Sequence, residues 1–215
     1  MSIEKTKSNV MYVDFSKKKN KGGCDDVSAK KFLSNAVMCY PYFLRIEKIN
    51  YEDDIRKIKS VTHGLMNALD CLKGDELLKT KWLAAHYSLL ITQIYEVRSK
   101  EWDLFFVGAY TLLEEMLEET EEKIKIIDMG VHTIVLPISA YGLNMQISRF
   151  LTDHDLFMCW YDYACEKISE LSGDISLVAK SRMMHVIFKN KLSYQNDKPI
   201  FSVPPVIASK GRDFY

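Results

Sequence analysis

Most of the local signatures of catalysis are missing from this chain. Its five cysteines, Cys24, Cys39, Cys71, Cys159 and Cys165, form an odd, scattered set with no Cys-x-x-Cys pair, which signals neither a zinc knuckle nor a redox dithiol. The five histidines, His63, His86, His132, His154 and His185, each stand alone. Neither His-Glu-x-x-His nor Glu-x-x-His occurs, so no metal site is expected from spacing. There is no Gly-x-x-x-x-Gly-Lys-Ser/Thr loop, no Gly-x-Gly-x-x-Gly turn and no Gly-x-Ser-x-Gly elbow, which removes the local means of cradling phosphate or raising a serine nucleophile. Ser-x-x-Lys occurs at Ser16 and Ser28, where lysines are dense and the pattern arises by chance.

Excess charge is missing too. The 29 basic and 29 acidic residues cancel, which argues against a protein that works chiefly by wrapping nucleic acid or coating an anionic membrane. No run approaches the roughly 18 apolar residues of a membrane span, and the first nine residues lack the apolar core of a secretory signal. The expectation is a cytoplasmic protein without cofactor or metal.

What is present is a folded body between two polar ends. The 47% of hydrophobic and 27% of charged residues are those of a globular domain able to bury a sizeable core. Residues 1–27 read as a basic tail holding the short run Val10 to Phe15. In it Tyr12, Val13 and Phe15 are candidate anchors, with Lys17, Lys18 and Lys19 as a solvated flank. Such a run either docks on its own domain or adds a strand to a partner's sheet.

Residues 28–192 read as a helical bundle. Ser28 is placed as N-cap of a short helix over Ala29 to Tyr40, interrupted by Pro41. Ile55, Ile58, Val61, Leu65, Leu69 and Leu72 recur at helical spacing from Glu52 to Leu72. The next helix, from Asp75, has apolar residues on two adjacent stripes, Trp82 and Leu89 on one and Tyr87 and Ile94 on the other. It is therefore expected to be the central, most buried one, with His86 kept neutral inside it. A third runs from Glu101 with Trp102, Phe105, Leu112 and Met116 inward. Its far end concentrates Glu114, Glu115, Glu118, Glu119, Glu121 and Glu122, a solvated face whose charges oppose the helix dipole and suit a basic partner or tail.

Met129 to Ser139 breaks the helical pattern: Val131, Thr133, Ile134, Val135 and Leu136 are β-prone before Pro137 and predict a short buried strand or extended crossover, with helix as the alternative. Further helices are expected from Tyr141 to Leu151, from Asp155 to Leu171 under an Asp153 cap, and from an Asp174 cap to about Lys191. For the last, Ile175, Leu177, Val178, Met183, Val186 and Ile187 are the candidate core. Residues 193–215 read as an extended tail with Phe201, Val203, Phe214 and Tyr215 as anchors around Pro199, Pro204 and Pro205, which either wraps the bundle or engages a partner.

The fold class expected is therefore mainly α: a single-domain bundle of about six helices with at most a minor β element. The function expected is a non-enzymatic protein-interaction module, an adaptor or regulator with a protein partner, using aromatic anchors and charge steering. The alternative is a nucleic-acid-binding regulator using Lys180, Arg182, Lys189, Lys191 and the tail residues Lys198, Lys210 and Arg212. A second alternative is an enzyme whose site assembles only in three dimensions. No family resemblance emerges from these residues.

Overall fold

The computed structural model describes residues 25–43, 52–130, 132–171 and 175–196, and the backbone of 208–209. The N-terminal run with Tyr12, Val13, Phe15 and Lys17 to Lys19, and the C-terminal anchors Phe201, Val203, Phe214 and Tyr215, lie outside the described residues. So do Gly173 and Asp174. Seven helices and a small sheet are described, in the order α1 (Asp26–Phe43), α2 (Glu52–Ala68), α3 (Gly74–Thr92), α4 (Lys100–Thr120), β1 (Lys125–Asp128), β2 (His132–Leu136), α5 (Ile138–Phe150), α6 (His154–Glu170), α7 (Leu177–Gln195) and β3 (Ala208–Ser209). The chain is a mainly helical bundle, as its periodicity predicts.

Two of the expected caps move. Asp25, not Ser28, caps α1, its Oδ1 accepting from the Ser28 amide at 2.7 Å; a carboxylate suits the positive end of a helix better than a hydroxyl. α7 starts under Ser176, whose side chain accepts from the Ala179 amide at 3.1 Å, rather than under Asp174. The Asp153 cap on α6 is where expected, accepting from the Leu156 amide at 2.9 Å.

Helix ends shift as well. α1 passes Pro41 and ends at Phe43. Pro41 forfeits the bond its N–H would make to the Val37 carbonyl, and the last turn is held instead by Tyr42, which donates to Asp54 at 2.9 Å, and by Phe43 packed edge-on to Tyr87. α2 stops at Ala68, short of the expected Leu72, which stays buried in the following turn. α7 continues to Gln195, past the Ser193 where an extended tail is expected.

The sheet is larger than one strand. β1 and β2 form an antiparallel hairpin with Ile127 opposite Ile134 and Lys125 opposite Leu136. Gly130, at φ +82°, takes the left-handed turn conformation that glycine adopts without steric cost. β3 adds to the other edge of β2, with Ala208 opposite Thr133, so the chain beyond α7 returns to the body at this point.

Two hydrophobic cores share one helix. The first is built by α1 to α4 with Ile127, Ile134 and Leu136 of the hairpin, and takes Ala140, Leu143 and Ile147 from α5. The second is built by α6 and α7 and takes Ile138, Tyr141 and Met145 from α5. Each trio follows i, i+3, i+7 spacing on opposite faces of one helix, so α5 is a septum between the cores. Twelve of its thirteen residues are buried, against twelve of nineteen in α3. The most enclosed helix is thus α5, not the expected α3, because α5 alone supplies both cores.

The first core closes around Tyr40. Its ring meets Trp82, His86, Tyr87 and His132 edge-on at centroid distances of 5.6 to 6.1 Å. Its hydroxyl is hydrogen-bonded to His86 Nδ1 at 3.0 Å, while Tyr87 donates to the Ala36 carbonyl at 2.8 Å and Trp82 Nε1 to that of Ser139 at 3.2 Å. Burial depresses the His86 pKa to about 3, so the ring is neutral at ordinary pH, as its position in the sequence predicts.

Candidate interaction surface

Helix α7 has two apolar faces. At 100° per residue, Ala179, Met183 and Ile187 lie on one side and are fully buried in the second core; Leu177, Phe188 and Leu192 fall on the opposite side, with Val178 at its margin. That outer side is open to solvent: Leu177 is 82% exposed, Val178 51%, Phe188 50% and Leu192 41%. Leu177 and Val178 are therefore surface residues, contrary to the core role expected for them. Ile175, Met183 and Ile187 are core, and Val186 is half-buried. Single exposed apolar residues are ordinary, but two pairs of them on one side of a helix, Leu177 with Val178 and Phe188 with Leu192, suit an interaction surface.

Every formal charge on α7 is positive. Lys180, Arg182, Lys189 and Lys191 occur with no acidic residue in the helix. Arg182 and Lys189 lie along one margin of the outer stripe. Lys180 and Lys191 lie along the other, but both are partly engaged: the Lys180 ammonium donates to the Leu171 carbonyl, and that of Lys191 stands 4.4 Å from the centre of the Tyr161 ring. These contacts tie α7 to α6, as does Tyr194 stacked on Phe157 at 4.4 Å. The helix is fixed on its inner side while its outer side stays open.

A second patch has the opposite sign. The Tyr141, Trp160 and Tyr163 rings lie within 5.7 to 6.1 Å of one another, with Tyr163 exposed. Burial, reinforced by the nearby carboxylates of Glu121, Glu166 and Glu170, pushes the Tyr141 hydroxyl up to about 12. The six glutamates at the end of α4 are all exposed, as the solvated-face reading predicts. Among the described residues only Glu115 has a basic partner, Lys81, at 2.8 Å.

Among the described residues, no three His, Cys, Asp or Glu side chains converge in a way that could hold a metal ion. No described helix is long and apolar enough to cross a membrane. Comparison of the chain with protein-family models, with curated proteins and with solved structures finds no match.

Sequence reasoning missed Phe188 and Leu192. Their signal is present: the apolar residues of α7 are spread around the helix instead of gathering in one stripe, and a helix that packs on one neighbour cannot bury both sides.

Proposed function

We propose that this protein is a non-enzymatic protein-interaction module, an adaptor or regulator, that captures a partner on the outer face of α7. The observation that carries this reading is the alignment of Leu177, Val178, Phe188 and Leu192 on a solvent-facing side of a helix whose only charges are basic. An apolar stripe rimmed by cations fits an amphipathic segment that presents its own apolar face between acidic residues. Burial of Phe188 and Leu192 supplies the affinity, and Arg182 and Lys189 bias approach and register. The terminal anchors Tyr12, Phe15 and Phe201 extend the same reading to the two ends of the chain.

Fluorescence anisotropy tests it. A labelled helical peptide alternating leucine faces with glutamate should bind the full chain, its lysine counterpart should not, and Phe188→Asp should weaken binding at least tenfold. If neither peptide binds, this reading fails. If a mixed-sequence DNA duplex binds instead, with steep salt dependence and no sensitivity to Phe188→Asp, the chain is the nucleic-acid-binding regulator.

A further inference from the structure

A net charge of zero conceals a segregation of sign. Positions 114–122 hold six glutamates and no basic residue, whereas α7 holds four cations and no acid. On α4 the pairs Glu114 and Glu118, and Glu115 and Glu119, are four residues apart, where like charges destabilise a helix, and they sit at the end whose dipole already disfavours anions. Along the same ridge toward the start of α4, at alternating spacings of three and four, come Thr111, Val107 and the exposed Leu104. That ridge therefore carries one exposed leucine and a half-buried valine beside an acidic stretch, opposite in sign to the outer face of α7. Within one chain the two helices do not satisfy each other: α4 packs mainly on α3 and α5, and α7 on α6, β3 and α5.

We propose that the outer face of α7 docks on the α4 ridge of a second copy of this chain. The contact rests on the reading of α7 as a docking face and names its occupant. It sets Lys189 against the Glu114 to Glu122 run, relieving the repulsion there, and with the two helices parallel brings Leu177 and Val178, about 17 Å toward the start of α7, over Leu104 and Val107. The helices match in length, about 31 Å for α4 and about 28 Å for α7 at 1.5 Å per residue. Because the two surfaces differ, the contact is heterologous; it closes into a dimer when formed twice and extends into a chain when it does not.

Sedimentation velocity of the full chain over a concentration series tests this. The expected result is self-association at low salt that weakens about tenfold or more at high salt. Lys189→Glu and Glu118→Lys should each weaken it by a similar factor, and combining both in one chain should restore it. Both positions are exposed, and circular dichroism confirms that each variant is folded. A chain that stays monomeric throughout overturns the proposal, as does association that Glu118→Lys leaves unchanged or that the double variant fails to restore. If the monomeric chain still binds the acidic peptide, only the identity of the partner is wrong; if it binds none, the docking face itself is.

Discussion

Helices α5 and α7 share a pattern and differ in fate. Both carry apolar residues on two opposite sides. In α5 both sides are filled, by the first core against Leu143 and Ile147 and by the second against Tyr141 and Met145. In α7 only one is, around Met183 and Ile187, leaving four of nineteen residues buried. A two-faced helix needs two partners to bury both faces, and among the described residues α7 has one face buried and the other exposed. This is the physical basis for reading α7 as a docking element.

The sharpest way to break this comparison is to remove core atoms from each side of the septum. Leu143→Ala and Met145→Ala remove side chains from different cores, and each should destabilise the protein by about 3 kcal/mol in urea unfolding. If only one does, α5 is an ordinary one-sided helix. On α7 the inner face should behave in the same way, with Met183→Ala costing about 2 to 3 kcal/mol.

Acid should separate the first core from the outer face of α7. Unfolded, His86 takes up a proton near pH 6.5; folded, it stays neutral down to about pH 3. The unfolded state therefore binds more protons between these values, and stability is lost as pH falls through that window, by about 1.4 kcal/mol per unit from this group. Burial lowers the His132 pKa in the same direction. Urea midpoints measured from pH 7 to pH 4 should fall, and the slope should flatten in His86→Asn. A smaller effect belongs to the helix start: Ser176→Ala removes the α7 cap and should cost about 1 kcal/mol, read from the same titration.

Much of the fold was legible, and the failures have specific causes. The Asp153 cap on α6 follows from local chemistry, and the structure places it as read. Asp25 and Ser176 each stand close to the residue first assigned the cap, and composition alone does not rank neighbouring candidates. β1 is four residues long and exists because it pairs with β2 and packs Ile127 on the first core; nothing within Lys125 to Asp128 announces that. Leu177 and Val178 were misplaced because periodicity reveals which residues share a face but not which face turns inward. The exposed glutamates of α4 were legible, since six charges in nine positions cannot be buried. For α7 the spread of apolar residues around the helix was legible, but not which side α6, β3 and α5 would cover.

The most direct test is urea unfolding of the Phe188→Asp, Leu192→Asp double variant at a protein concentration low enough to keep the chain monomeric. If the outer face is the proposed docking surface, it adds nothing to folding, and the midpoint should stay within about 0.5 kcal/mol of the parent. A loss of about 2 kcal/mol or more would mean that these side chains are buried by the protein itself, and that α7, like α5, has both faces filled by its own chain.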